Sequence, residues 1–183
     1  ILGGFLLIIL AGALLLSLPV SSKSGTATPF LDALFTATSA TCVTGLIVHD
    51  TFTWWSGFGQ AVILILIQIG GMGVVTLAVV ITILSGRKIG LKQRYVMQES
   101  ISAPQVGGIV RMTRFIVIGT ILFEAAGAVI MAFQFLPQMG VGKGVWFSVF
   151  HSVSAFCNAG FDLMGEVSGP CSSVTSYTGN ALI

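Results

Sequence analysis

The segment FTATSATCVTG at residues 35–45 and the segment FHSVSAFCNAG at residues 150–160 share the pattern F-x-x-x-S-A-x-C-x-x-G. Each matched residue of the second copy follows its counterpart by 115 positions, as Phe150 follows Phe35. Both copies are more apolar than an ordinary loop, and each ends on a glycine, Gly45 or Gly160. A repeated pattern of this kind indicates two structurally equivalent units in one chain.

The composition is typical of a membrane protein. Hydrophobic residues make up 55% of the chain and charged residues 8%, whereas a soluble domain carries about 25% charged residues. The mean hydropathy is +1.00. The net charge of +2 is too small, and its charges too scattered, to indicate a nucleic-acid partner. We therefore expect an integral membrane protein that binds no nucleic acid.

Three apolar stretches are long enough to cross a membrane, at residues 1–18, 56–84 and 115–136. The pattern S-x-x-G-[NQ]-A-[aliphatic]-I opens the second stretch at residue 56 and recurs at residues 176–183. The predicted organisation is a first repeat at 1–84, a basic cytoplasmic linker at 85–107 and a second repeat at 108–183. The second repeat stops where its last span begins, so we expect the natural protein to start before Ile1 and to continue past Ile183.

A short helix is predicted before each glycine. Thr28 is expected to cap, and Pro29 to begin, a helix that runs to Ala40 and is about 18 Å long, roughly half the membrane core. The second copy predicts a helix from about Gly144 to Ala155. Basic residues concentrate between positions 85 and 114, which favours the cytoplasmic side for that segment and the outer side for both short helices.

A half-helix that ends inside a membrane is suited to binding a cation. Its C-terminus carries partial negative charge, and carbonyl groups that follow it replace the water around a dehydrated ion. Non-helical backbone is tolerated at that depth where protein buries it or where it lines a wet cavity. The sequence therefore predicts an all-α integral membrane fold of repeated span–half-helix–span units, similar to that of potassium channels.

Four motifs occur in order along the chain: SATCVTGL at 39–46, QIGGMG at 68–73, GRKIGLK at 86–92 and HSVSAFCNAGF at 151–161. In this order the chain resembles the potassium-uptake membrane subunits of the Trk/Ktr/HKT superfamily, most closely the Ktr-type subunit, over essentially its whole length. The resemblance implies four repeats around a central pore, of which this chain holds about one and a half to two. It also implies that the chain transports K+ through a selectivity filter.

The resemblance, carried over residue by residue, implies that two short segments of this chain form walls of the filter with their backbone carbonyl groups. It also implies the side chains of Thr44 and Asn158 as further oxygen ligands. Some plant relatives that favour sodium have serine at the first of these glycine positions; here both Gly45 and Gly160 are glycine, which by resemblance favours potassium. The alternative is that Gly45 and Gly160 only make tight turns. The first wall is Cys42, Val43, Thr44 and Gly45, and the second is Cys157, Asn158, Ala159 and Gly160.

The resemblance further implies a multi-pass plasma-membrane protein in contact with lipid. Such subunits form homodimers and sit on a cytoplasmic, nucleotide-binding regulatory (KtrA-like) subunit. The alternative for the basic segment at 85–106 is simple topology and contact with lipid headgroups. This chain has neither a G-x-G-x-x-G nor a G-x-x-x-x-G-K-[ST] motif, so any nucleotide is expected on the partner and no cofactor on this chain.

Several residues have two readings. Glu124 either influences ions or gating, or holds helices together, and the second reading is favoured. Asp50 and Asp162 either attract cations to the outer mouth or are solvated loop carboxylates. Trp54 and Trp55 are expected to be interfacial anchors. The glycines of QIGGMG at 68–73 form either a hinge or, as favoured, a close helix contact.

Enzymatic chemistry finds no support in the sequence. The chain has two histidines, His49 and His151, and three cysteines without metal-ligand spacing, so neither a catalytic set nor a metal site is expected. The predicted function is potassium transport through the filter. The alternatives are a broken-helix secondary transporter of another small solute or cation, and a membrane scaffold that carries nothing.

Overall fold

The structure is a computed structural model that describes residues 2–73, 109–171, 173–177 and 179. Within these ranges the chain is helical and has no β-strand, only an isolated bridge between Ser22 and Trp55. The coarse prediction of an all-α fold is confirmed for this part of the chain. The predicted linker at 85–107, the second half of the stretch at 56–84 and most of the match at 176–183 lie outside the described residues.

The helices form two groups that meet at α4. In the first group α1, α2 and α4 pack on one another, and in the second α5 packs along α6. Helix α4 also contacts α6, and α3 contacts a 3₁₀ turn at Met164–Glu166. The α-helices of the described ranges are α1 (Leu2–Ser17), α2 (Phe30–Thr41), α3 (Thr51–Trp54), α4 (Gly57–Met72), α5 (Ile109–Met139) and α6 (Val141–Phe156). Further 3₁₀ turns lie at Pro19–Ser21 and Ser173–Tyr177.

Both predicted half-helices are present, with shifted starts. Pro29 occupies the N-cap position of α2 without a side-chain cap. The prediction that Thr28 caps this helix is wrong, because its hydroxyl accepts a hydrogen bond from Trp54 Nε1 at 3.2 Å instead. Helix α6 begins at Val141 rather than near Gly144, because the left-handed Gly140 (φ 77°) separates it from α5.

Only one described helix, at Thr113–Met139 within α5, is long and apolar enough to cross a membrane by length and composition. It extends past the predicted stretch of 115–136 at its C-terminal end. Helices α1 and α4 are apolar but have 16 residues each, or about 24 Å against a hydrocarbon core of about 30 Å. Large apolar side chains on the outer faces of α1 and α5 are exposed, as Leu2 and Phe115 illustrate.

Aromatic side chains fill the centre of the fold. Phe135, Phe147 and Phe150 are fully buried, and their rings surround His151. The prediction of an interfacial anchor is wrong for Trp55, which is 1% exposed and belongs to the core.

The neighbouring Trp54 is half-buried. Its ring stacks on His49 at 3.9 Å between centroids, and its N–H donates to Thr28. Its position at a membrane interface stays a prediction.

Asp50 connects the two groups of helices. Its Oδ1 accepts hydrogen bonds from the N–H groups of Phe52 (3.0 Å) and Thr53 (2.7 Å), which caps α3. Its Oδ2 accepts from the N–H of Cys171 at 2.9 Å, 121 positions away. Asp50 is 8% exposed, so the reading as a solvated loop carboxylate is wrong. Both oxygens of the Asp50 carboxylate therefore accept hydrogen bonds. The bond from Cys171 could not be predicted from the residues that neighbour Asp50 in the sequence.

Asp50→Asn is expected to lower the free energy of unfolding by about 1–3 kcal/mol, because one acceptor oxygen becomes an amide that faces an N–H donor. Denaturant unfolding of the purified protein in detergent measures this loss. Asp162→Asn is the matched control, since within the described ranges Asp162 accepts one backbone hydrogen bond, from Met164 at 2.8 Å, and an asparagine oxygen can keep it. Equal losses in the two variants would contradict the connecting role of Asp50.

The Asp50 contribution is also expected to depend on pH. Burial raises the pKa of the Asp50 carboxyl, but the hydrogen bonds from Cys171, Thr53 and Phe52 lower it more, and the pKa lies below its ordinary value. The stabilisation is therefore fully present above the ordinary pKa of about 3.9 and is lost as the pH falls through the lower folded value. Unfolding midpoints measured between about pH 6 and pH 3 should fall more steeply for the natural chain than for Asp50→Asn. Parallel curves would show that Asp50 does not titrate as expected.

Candidate functional site

The two repeated patterns end in turns with the same backbone conformation. Helix α2 stops at Cys42 and helix α6 at Cys157. The next residue is left-handed in both turns, with φ of 57° at Val43 and 55° at Asn158. Both terminal glycines, Gly45 and Gly160, have a φ of 74°. We call residues 42–45 the first turn and residues 157–160 the second turn.

Both turns fold back onto their helices through the hydrogen bonds of a Schellman motif. In the first turn, the N–H of Val43 donates to Ala40 O (3.3 Å) and the N–H of Thr44 donates to Ser39 O (3.0 Å). The corresponding second-turn bonds, from Asn158 to Ala155 and from Ala159 to Ser154, measure 3.0 and 2.7 Å. Within the described ranges, no hydrogen bond of the chain ends on the carbonyl oxygens of either turn.

The two turns touch each other at their glycines. A Cβ placed on Gly45 would lie 2.7 Å from Ala159 O and 3.2 Å from Gly160 Cα. A Cβ on Gly160 would lie 3.3 Å from Gly45 Cα. The left-handed φ favours glycine at both positions. The close approach of the other backbone also leaves no room for a side chain at Gly45, and at Gly160 it leaves a tight contact. The structure brings Gly45, Ala159 and Gly160 together.

The side chains of the two turns have different surroundings. Cys42, Thr44 and Asn158 are exposed, whereas Ala159 is buried. The Thr44 hydroxyl donates to Ser39 Oγ at 2.9 Å, which leaves the Thr44 oxygen with acceptor capacity for a ligand.

The serine of each pattern supports its own turn, a role that the sequence analysis did not assign. Ser39 accepts from Thr44 in the first copy. In the second copy, Ser154 Oγ donates to Phe161 O, directly after Gly160, at 2.5 Å. Both serines are 4% exposed. Their recurrence at the same place in the pattern was the available signal.

Helix α4 supplies one glycine to each turn. A Cβ on Gly70 would lie 2.9 Å from the carbonyl carbon of Thr41, at the end of α2, and one on Gly71 would lie 2.8 Å from Cys157 Cβ. The favoured reading of close packing is confirmed for these two glycines. Gly73 has a different role, because its φ of 80° ends the helix.

A polar group lies behind the second turn. Gln68 Nε2 on α4 donates to Glu124 Oε2 on α5 at 3.0 Å. The Cys157 thiol lies 4.0 Å from Glu124 Oε1, and Ser152 Oγ donates to the Glu124 carbonyl at 2.6 Å. Glu124 therefore joins α4, α5 and α6, as the reading of a helix-connecting residue expects.

An open cavity of about 280 Å³ lies beside the second turn. Asn158, Gly160 and Asp162 line it together with His151 and Ser154. Burial raises the pKa of the Asp162 carboxyl, the hydrogen bond from Met164 opposes this, and the charge of Asp50 adds to the rise. Among the described residues, no group of three or more His, Cys, Asp or Glu side chains could hold a metal ion.

Comparison with known families accounts for nearly the whole chain. Residues 6–183 match the TrkH family, described as cation transport proteins. The chain belongs to the TrkH family. The resemblance predicted from the four motifs is thereby confirmed. The TrkH family is one of transport proteins, which agrees with the prediction that the chain is not an enzyme.

Several characterised relatives are similar to this TrkH chain. A potassium/sodium uptake protein, NtpJ, of Enterococcus hirae is 43% identical over 163 residues, which cover 89% of this chain and 36% of the relative. The Ktr system potassium uptake protein B of Bacillus subtilis is 43% identical over 98% of this chain and 39% of its own length. Its counterpart in Vibrio alginolyticus is 38% identical over 100% of this chain and 38% of its own. The chain thus spans less than two fifths of these relatives.

Alanine at Gly70 or Gly71 is expected to destabilise this TrkH chain by about 1–3 kcal/mol, because the added methyl group overlaps backbone or a packed side chain. Thermal unfolding in detergent measures the change. Gly57→Ala, near the start of the same helix, is the control, since nothing lies within 4 Å of its Cβ position. Unchanged stability in Gly70→Ala and Gly71→Ala would show that α4 does not support the turns.

Proposed function

We propose that this chain supplies two walls of a potassium-selective pore. The observation that carries the proposal is the contact between two turns of the same backbone conformation, glycine against glycine. Their carbonyl oxygens accept no hydrogen bond from the described part of the chain. Carbonyl oxygens without a protein partner are the ligands that replace the hydration shell of K+ in selective pores.

The helices add a favourable field for a cation. Both α2 and α6 end at a turn, so the partial negative charge of each helix C-terminus lies next to the carbonyl groups. Asp162 lies at the cavity beside the second turn. The filter walls proposed here are those predicted from the sequence, 42–45 and 157–160, with Thr44 and Asn158 side chains exposed for additional contact. K+ is the transported ion, and the chain itself needs no cofactor.

The membrane arrangement follows from the helices. In this proposal α5 crosses the plasma membrane, α1 and α4 lie within it, and α2 and α6 enter it from outside as half-helices. The exposed apolar faces of α1 and α5 contact lipid. The basic segment between positions 85 and 114 lies on the cytoplasmic side. The first group of helices is then one span–half-helix–span repeat, and the second group is the span and half-helix of the next.

The relatives support both the ion and the need for partners. Their names describe uptake of potassium, or of potassium and sodium, and two of them belong to a Ktr system. We propose the same ion for this chain, with further repeats completing the ring of carbonyls. A homodimer and a cytoplasmic nucleotide-binding subunit complete the proposed assembly.

Gly45→Ser and Gly160→Ser are expected to lower the ratio of K+ to Na+ uptake by about tenfold, a loss of about 1.4 kcal/mol of preference. A side chain at Gly45 displaces the Ala159 carbonyl group, and one at Gly160 presses on the backbone of Gly45. Uptake by potassium-starved cells that produce the complete gene product measures the ratio.

Gly25→Ser is the matched control for this experiment. Gly25 also has a left-handed φ, of 70°, but nothing lies within 4 Å of its Cβ position. Gly25→Ser therefore introduces the same backbone strain at a position away from the two turns. An unchanged ratio in both filter variants, with normal protein levels, would reject the filter assignment.

A further inference from the structure

Both histidines of the chain connect a half-helix to the segment that follows its turn. His49 lies four residues after Gly45, and its Nε2 lies 3.0 Å from Oδ2 of Asp32, in the first turn of α2. The imidazole stacks on the Trp54 ring with an interplanar angle of 7°. The outgoing segment of the first turn is therefore fixed to the outer end of α2.

The second histidine makes the same connection with the two partners exchanged: the histidine lies on the half-helix, and the residue that it binds lies after the turn. His151 belongs to α6, and its Nδ1 lies 2.7 Å from Phe147 O of the same helix. A carbonyl accepts only, so Nδ1 carries the proton and donates. The bare Nε2 accepts the N–H of Leu163 at 3.2 Å, three residues after Gly160. His151 is 6% exposed and lies among phenylalanine rings.

We propose that these two contacts position the turns and thereby set the preference for K+ over Na+. We call Asp32–His49 the first clamp and His151–Leu163 the second clamp. The inference rests on the proposed function, since it assigns positioning residues to the same filter. Neither histidine contacts the ion in this proposal; each holds the peptide segment that carries the carbonyl groups.

The geometry of the turns explains why they need support. Val43 and Asn158 hold left-handed conformations, which are strained for β-branched Val43 and uncommon, though tolerated, for asparagine. Such conformations persist only where the surroundings fix them. The Schellman bonds fix the entry to each turn, and the clamps fix the exit.

A purely structural role explains the clamps less well. The position equivalent to His151 in the first copy is Thr36, whose hydroxyl bonds only to Asp32 O of its own helix at 2.9 Å. The residue that makes the connection is therefore not at the same position in the two copies. Both copies nevertheless connect the half-helix to the segment after its turn. In addition, the side chains of His49 and Asp32 are 25% and 30% exposed, and part-exposed polar contacts of this kind add little to stability.

The second clamp is tested with His151→Leu, which removes the acceptor of the Leu163 N–H. The K+ to Na+ uptake ratio of the complete gene product is expected to fall about fivefold, the effect of one net hydrogen bond. Thr36→Val is the matched control at the equivalent position and should leave the ratio unchanged. His151→Gln should restore part of the ratio, because an amide oxygen can accept the same N–H.

The first clamp is tested with Asp32→Ala, His49→Ala and the double variant. Each single variant should lower the ratio by about twofold to fivefold, and the double variant should lower it no further, as for two partners in one contact. These residues are part-exposed, so their variants are expected to fold. They test the proposal even if His151→Leu does not accumulate in the cell.

The outcomes separate this inference from the proposed function. If Gly45→Ser and Gly160→Ser lower the ratio while Asp32→Ala, His49→Ala and His151→Leu keep it at the natural value, the clamps are overturned and the filter stands. If both glycine variants also leave the ratio unchanged, the proposed function itself fails. A fall in total uptake at constant ratio in the clamp variants indicates ordinary destabilisation and also overturns the positioning role.

Discussion

The close approach of two backbones at Gly45 and Gly160 is the constraint on which the rest of the structure depends. A Cβ on Gly45 would lie 2.7 Å from the carbonyl oxygen of Ala159, so the first turn cannot carry a side chain there. The first three N–H groups of each turn donate back to its own helix, and within the described ranges its carbonyl groups are left for water or a cation. Unpaired carbonyl groups are costly unless such a partner binds them. Helix α4 then has to place one glycine against each turn for both backbones to reach this position.

The backbone conformation of each turn is determined by contacts that both copies of the repeat share, and not by the type of residue at the left-handed position. Asn158 is a residue type that tolerates left-handed φ, because its short polar side chain bonds locally. Val43 is β-branched and is a genuine outlier at the same angle. The two residues nevertheless reach φ values of 55° and 57°. Common features of the two copies impose the angle: the Schellman bonds, a buried serine and a facing glycine on α4.

The sequence could predict what local pattern determines. The repeat, its terminal glycines and the existence of both short helices follow from residue spacing, and the end of α2 lies within one residue of the prediction. Roles that depend on distant contacts were missed or misread. Asp50 bonds to Cys171 121 positions away, and no local pattern encodes that partner. Trp55 was assigned to an interface from its residue type, but the surrounding helices enclose it. Gly70 and Gly71 were recognised as packing residues, although the turns they contact could not be named before the fold was known.

The supports of the two turns are chemically unequal. Behind the second turn, Cys157 lies against the Gln68–Glu124 pair, whereas Cys42 at the same place in the first turn is exposed. The position 115 residues before Glu124 is Ile9, an apolar residue packed against the core. A shared shape with unequal surroundings is what a site made of backbone oxygens permits, because the ligand contacts the repeated peptide groups and not the side chains that hold them. On the proposed function, an ion between the turns therefore has similar backbone oxygen ligands on both sides and different side chains behind them. This difference comes from residues such as Gln68 and Glu124, which lie outside both copies of the repeated pattern. A comparison of the two copies would not identify them.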